Sequence, residues 1–292
     1  MAMPAITSLK PRPVSLIEQR SFNRPLTQEH RLTLPGSVHP NLPDLASLSP
    51  PTRLSSDLVD FNRHAEFLAA CLSAAPGTLP ILVTEQHVFS LPFYRALVKA
   101  NPGEEIAIVS LDNHLDGVDI TYTNWAFWGF GIYHNQVKPA NLRIIGPGQQ
   151  LRAEAFYQEY NCADAIPGFN YQVIEQYQDF IRQAAVKVVT ANPTLDLAAI
   201  RKAPHLRDFA EYALLKNAGV TMSQSLANLD LAGRSIFVSF DTDVPLAPER
   251  LLAIAQLLRN ARVLGVHISE LHQGLPIHGR EVIEEFTRIV VS

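Results

Sequence analysis

Residues Ile106–Asp116 read IAIVSLDNHLD. A mainly apolar, β-branched run is followed at once by Asp112, His114 and Asp116, spaced two apart. A short apolar run bounded by polar residues has the composition of a strand buried on both faces, as in parallel sheets. Two other stretches share this layout. Leu82–Ser90, LVTEQHVFS, sets Glu85 and His87 just beyond an apolar run, and Ile236–Pro245, IFVSFDTDVP, sets Asp241 and Asp243 beyond another. In extended chain, residues two apart share a face. Asp112, His114 and Asp116 therefore converge on one side of the chain, and so do Asp241 and Asp243.

Around these strand ends, short apolar runs alternate with amphipathic segments. Ser55 or Ser56 is placed to cap a helix reaching about Ala75, with Leu58, Phe61, Ala65 and Leu68 at helical spacing. Strands are expected over Leu79–Thr84, Ile106–Leu111, Leu142–Ile145, Val186–Thr190, Ser235–Phe240 and Val263–Ile268. Helices are expected over Pro92–Ala100, Phe209–Leu226, Pro248–Asn260 and Glu281–Ile289. The alternation predicts an α/β protein, a three-layer αβα arrangement around a mostly parallel central sheet. Ligands of such open sheets bind beyond the C-terminal strand ends, where the acidic and imidazole residues fall.

The start of the chain is different. Pro4, Pro11, Pro13, Pro25, Pro35, Pro40, Pro43, Pro50 and Pro51 interrupt helices and disfavour central strands. Residues 1–55 are expected as a Pro-rich N-terminal arm, either a loose leader or a segment laid over the domain through Leu32, Leu34, Leu42 and Leu45. Residues 56–292 are expected as a single α/β catalytic domain.

Composition narrows the function classes. The 292 residues are 47% apolar and 18% charged, with a formal net charge of -4. A mildly acidic chain lacks the basic footprint of a nucleic-acid binder. Two cysteines, Cys71 and Cys162, supply neither a disulfide framework nor a thiolate zinc site. No apolar stretch approaches the roughly 18–20 residues of a membrane span, and no secretory signal opens the sequence. The expectation is a cytoplasmic protein that engages neither nucleic acid nor membrane.

The strand ends offer His87, Asp112, His114, Asp116, Asp241 and Asp243 as metal ligands. Carboxylates and imidazoles without a thiolate favour a hard or borderline cation such as Mn²⁺. Four carboxylates around one divalent ion leave excess negative charge, whereas two ions about 3.5–4 Å apart balance it and activate a water between them. Two other metal-dependent classes use similar fragments. Asp241-Thr242-Asp243-Val244 is similar to the nucleophile motif of haloacid-dehalogenase-type phosphatases, but that motif follows the first strand of its domain. Metallophosphoesterases open with Asp-x-His but then require Gly-Asp and Gly-Asn-His motifs, which this sequence lacks.

The pattern resembles the arginase/ureohydrolase superfamily. Its motifs are a Gly-Gly-Asp-His-Ser turn, an Asp-Ala-His-x-Asp strand end, a Ser-x-Asp-x-Asp strand end and a short strand ending in Glu. Here the corresponding segments are Glu85-Gln86-His87, Asp112-Asn113-His114-Leu115-Asp116, Ser239-Phe240-Asp241-Thr242-Asp243 and His267-Ile268-Ser269-Glu270. The resemblance spans about residues 79–275 and implies an arginase/deacetylase-like fold with two Mn²⁺ ions per subunit, held by His87, Asp112, His114, Asp116, Asp241 and Asp243. It implies that Glu270 holds a substrate guanidinium. The departures bear on the substrate. The first motif lacks its paired glycines, and GVDITYTNWAFWGFGIYHNQ after Asp116 lacks the Ser-Gly-Asn-x-His loop by which arginases grip a free amino acid. Pro-Gly-Gln-Gln follows Gly146 where arginases carry acidic residues for the α-amino group. A divergent branch, the peptide arginases, convert arginine side chains within peptides to ornithine, and a peptidyl arginine has no free α-groups to clamp.

A guanidinium is always charged and is a poor electrophile. Its hydrolysis needs a strong nucleophile, a planar carboxylate for bidentate orientation and a proton for the departing amine. Glu270 is expected in the second role. His134 is the candidate for the third, with a surface histidine as the alternative. Asn124 and Trp125 are expected to line the substrate pocket, although an aromatic cluster is more often core than site. The expected partner is an arginine-containing peptide or a small guanidino compound such as agmatine, and a homo-oligomer is compatible with the sequence. A metal-binding scaffold without turnover is the third reading.

Overall fold

The structure is a computed structural model and describes residues 13–18, 37–38, 57–112, 116, 122–124, 126–145, 187–189, 231, 233–244, 246–270 and 279–292. Its centre is a parallel sheet of β1 (Val14–Glu18), β2 (Ser37–Val38), β3 (Leu79–Val83), β4 (Ile106–Leu111), β5 (Leu142–Ile145), β6 (Lys187–Val189), β7 (Ser235–Asp241) and β8 (Arg262–Ser269). The spatial order is β2-β1-β3-β8-β7-β4-β5-β6, and every described strand pairing is parallel. The chain between β3 and β4 therefore crosses over the positions that β8 and β7 later fill.

Alternation along each strand divides the apolar side chains between the two faces. Leu82, Ile106, Ile108 and Phe237 meet α1 (Asp57–Ala74), α2 (Ser90–Ala100) and α3 (Phe127–Tyr133), through Phe61, Leu68, Phe93, Leu97 and Phe130. Ile81, Val83, Val109, Ile236, Val238 and Phe240 meet α4 (Pro248–Leu258) and α5 (Arg280–Val291), through Leu251, Ile254, Leu258, Phe286 and Ile289. A sheet buried on both faces between helices is the three-layer α/β arrangement expected from the sequence.

Most expected elements occur with ends shifted by one or two residues. The Phe209–Leu226 helix and the Ser55/Ser56 cap lie outside the described residues. Within residues 1–55, expected as a Pro-rich arm, β1 and β2 extend the sheet beside β3. The prolines permit this because Pro13 precedes β1 rather than interrupting it, and its carbonyl accepts the Leu79 N–H at 2.9 Å. Within β1, Val14, Leu16 and Ile17 are buried. Helix α3 was also unassigned from sequence, where its aromatic and glycine content obscured a helical period.

One irregularity in β8 decides where a side chain points. Ile236 pairs with Val263 but Phe237 pairs with Gly265, so Leu264 is an extra residue, a β-bulge. Val263, Val266 and Ile268 consequently all join the α4–α5 face, and His267 is turned toward α2. Gly265 lies where α2 approaches the strand closely, and an added Cβ would stand 2.8 Å from Leu97 Cδ1 and 3.4 Å from Phe93 Cζ. Gly265→Val is expected to cost about 1–3 kcal/mol by overpacking this contact, read as a lower denaturation midpoint. Unchanged stability would mean that the helix is not seated on the bulge.

Candidate metal centre

The strands β3, β8, β7 and β4 are neighbours in the sheet, and each ends in a residue singled out from sequence. After β3, a short 3-10 turn, His87–Phe89, leads directly into α2. Asn124 Oδ1 accepts the Val88 N–H at 3.0 Å and so ties this turn to the segment before α3. After β4, the Asp112 N–H donates to the Ile145 carbonyl at 3.0 Å, prolonging the sheet by one residue. Asp116 adopts a left-handed backbone, φ 44°, and its carbonyl accepts the N–H groups of Trp128 at 2.9 Å and Gly129 at 3.4 Å in the first turn of α3. After β7, the Asp243 N–H donates to Asp241 Oδ1 at 3.2 Å and folds the Asp241–Asp243 turn back on itself.

These turns bring the ligand atoms together. His87 Nδ1 lies 3.1 Å from Asp112 Oδ2, 2.9 Å from Asp116 Oδ2 and 3.2 Å from Asp241 Oδ2. That nitrogen forms no hydrogen bond, and His87 is 1% exposed. A buried ring nitrogen facing three carboxylate oxygens from two strand ends is the donor geometry of a cation site. Among the described residues, two sets of side chains have ligand atoms within 4.8 Å of one another: His87, Asp112 and Asp116, and Asp112, Asp241 and Asp243. Asp112 belongs to both and would be a ligand common to the two ions. Asp112, Asp116 and Asp241 are buried, and Asp243 is half-buried.

Electrostatics fit the same reading. Burial pushes the His87 imidazole down, but the carboxylates of Asp112 and Asp241 outweigh it and hold the ring well above its ordinary value. Burial, reinforced by the Asp112 charge, holds the Asp116 carboxyl well above the usual carboxylate range. Without a cation the cluster thus retains protons, and cation binding would displace them. The donor set, rich in carboxylate with imidazole and without thiolate, suits Mn²⁺ or a similar divalent ion.

Glu270 follows β8, between the strands that carry His87 and Asp241. Its backbone is left-handed, φ 60°, and is held at both ends: its N–H donates to the Thr84 carbonyl at 3.1 Å, and its carbonyl accepts Thr242 Oγ1–H at 2.9 Å. A non-glycine residue in this region costs of order 1–3 kcal/mol and marks a position fixed by its surroundings. Two functional candidates, Asp116 and Glu270, share that conformation.

Other candidates are placed differently. His134 caps the C-terminal end of α3, with its ring 4.3 Å from Phe130 and 5.1 Å from Tyr133. Asp116 sits at the opposite end of that helix, on the order of 10 Å away along its axis at 1.5 Å per residue. The structure therefore does not bring His134 into the ligand cluster, because α3 carries it away. Asn124 uses its carbonyl oxygen to support the His87 turn. Tyr122, Trp128 and Phe130 are buried core, while the Phe127 ring packs edge-on to His87 at 4.9 Å. His114 and Trp125 lie outside the described residues. The sequence does not mark Thr84, Ser90 or Thr242, since single hydroxyls carry no spacing signal.

No family model and no curated protein matches the chain. Solved structures do. A cold-adapted arginase from the psychrophilic yeast Glaciozyma antarctica superposes with a TM-score of 0.54 at 14% identity, over 97% of this chain and 96% of that one. A formimidoylglutamase from Bacillus subtilis superposes with a TM-score of 0.51 at 15% identity, over 82% of this chain and 68% of that one. At such identities the likeness concerns the backbone, and the chain has the three-layer α/β fold of the arginases.

Proposed function

We propose that this chain belongs to the arginase/ureohydrolase superfamily and hydrolyses a guanidino group with two Mn²⁺ ions, the favoured substrate being peptidyl arginine, which yields ornithine and urea. The observation that carries this reading is the pair of ligand triads sharing Asp112 in a fold common to arginase and formimidoylglutamase structures. His87, Asp112, Asp116 and Asp241 would hold one ion, and Asp112, Asp241, Asp243 and His114 the other. When bound, the ions supply an activated water and neutralise the four carboxylates. Glu270 orients the cationic guanidinium by a bidentate hydrogen-bonded pair, from a backbone that Thr84 and Thr242 keep in place. The peptidyl preference rests on sequence: the loop and acidic residues that clamp a free amino acid in arginases have no counterpart here.

Calorimetric titration of metal-stripped protein with Mn²⁺ is expected to show two ions per chain. Asp112→Ala should lose high-affinity binding of both, because it bridges, whereas Asp243→Ala should retain one. Two ions bound tightly by Asp112→Ala would remove the shared ligand. Urea release, followed by mass spectrometry with Mn²⁺ present, is expected from an arginine-containing peptide and not from free arginine or agmatine. Release from agmatine would assign a small guanidino substrate, and silence on all three would leave a metal-binding scaffold. Glu270→Gln should raise KM by on the order of 10- to 150-fold, the equivalent of about 1.5–3 kcal/mol for a lost hydrogen bond to a charged group, with metal content unchanged. An unaltered KM and kcat would take Glu270 out of the site.

A further inference from the structure

Behind the metal-facing side of His87 runs a closed file of polar side chains that the reaction above does not use. His87 Nε2 lies 2.6 Å from Ser239 Oγ, Ser239 Oγ lies 2.6 Å from Ser90 Oγ, and Ser90 Oγ lies 2.5 Å from His267 Nδ1. His267 Nε2 lies 2.8 Å from Thr84 Oγ1, which in turn lies 2.6 Å from the Gln86 carbonyl. Thr84, His87, Ser90, Ser239 and His267 are each at most 1% exposed. Four segments supply them: the end of β3 and the turn after it, the start of α2, β7, and β8 just beyond its bulge.

The direction of every hydrogen bond follows from one end. A carbonyl oxygen only accepts, so the short contact to Gln86 commits the Thr84 proton. Thr84 Oγ1 must then accept from His267 Nε2–H. A neutral imidazole with its proton on Nε2 presents a lone pair at Nδ1, so Ser90 donates there. Ser90 Oγ in turn accepts from Ser239, and Ser239 Oγ accepts from His87 Nε2–H. His87 thus keeps its proton on Nε2, so that a cation displacing the proton retained by the cluster meets a lone pair on Nδ1, the nitrogen facing the carboxylates of Asp112, Asp116 and Asp241. The reversed order would put a proton on Nδ1, where it would block a cation. The His267 ring is fully buried, an environment that favours the neutral form the chain requires.

We propose that His267 is a positioning residue for the metal centre: through Ser90 and Ser239 it holds His87 in the Nε2–H form, with Nδ1 free to take an ion. This rests on reading the cluster as a metal site. Outer partners of ligating histidines fix tautomer and ring orientation, and removing them costs roughly 10- to 100-fold in metal affinity. Here that partner is a histidine three hydrogen bonds away, and the bulge in β8 aims it.

The test combines Mn²⁺ titration of wild type and Ser90→Ala with ring ¹⁵N spectra of the Zn²⁺-loaded, histidine-labelled full-length wild type. The expected result is two ions in wild type, one of them bound about 10- to 100-fold more weakly in Ser90→Ala, and a His267 ring protonated on Nε2. A wild type that binds two ions beside a Ser90→Ala variant that binds both with unchanged affinity overturns this inference alone. A wild type that binds no ion overturns the metal reading and this inference with it. If Ser90→Ala fails to fold, the wild-type spectrum decides: a proton on His267 Nε2 supports the relay and a proton on Nδ1 overturns it.

Discussion

Three carboxylate oxygens lie within 3.2 Å of one imidazole nitrogen at the edge of a buried sheet. Taking charges out of water costs several kcal/mol each unless they are paired, so the cluster is stable only with compensating positive charge, from bound protons or from cations. The raised His87 and Asp116 values are the proton-loaded solution. Two divalent ions are the other, and the sharing of Asp112 between two triads gives them a common ligand.

Much of the surrounding structure follows from holding those groups in place. Neighbouring strands deliver the ligands to one edge, and rigid elements place them more reproducibly than loops would. The Asp116 carbonyl caps α3, Asn124 supports the turn that bears His87, and Thr84 and Thr242 grip the backbone of Glu270. Left-handed backbone at Asp116 and Glu270 is tolerated because these contacts over-determine it. Thr84 takes part twice: its carbonyl anchors Glu270 while its hydroxyl ends the file that leads to His87. Glu270 and His87 are thus joined through one residue.

The five clustered candidates, His87, Asp112, Asp116, Asp241 and Asp243, and Glu270 could be picked out from sequence because each closely follows an apolar run, and strand ends in parallel sheets are where ligands bind. The α/β architecture was readable for the same reason, since strands buried on both faces leave a dense apolar signature. β1 was not. Prolines before and after Val14–Glu18 concealed a short strand whose partner, β3, lies some 60 residues further along the chain. His134 stands at the far end of α3 from Asp116, because sequence proximity says nothing of the direction in which a helix runs.

Local chemistry, then, belongs to the sequence: which carboxylates and imidazoles stand at strand ends, and that they form a donor set without thiolate. The tertiary structure decided what distance along the chain hides. It placed β8 and β7 between β3 and β4, so that Asp112 meets both His87 and Asp243. A single extra residue in β8 turned His267 from the α4–α5 face toward Ser90. Strand order and bulge register come from the packing of the whole sheet between its helices, and a run of residues read by itself holds no record of either.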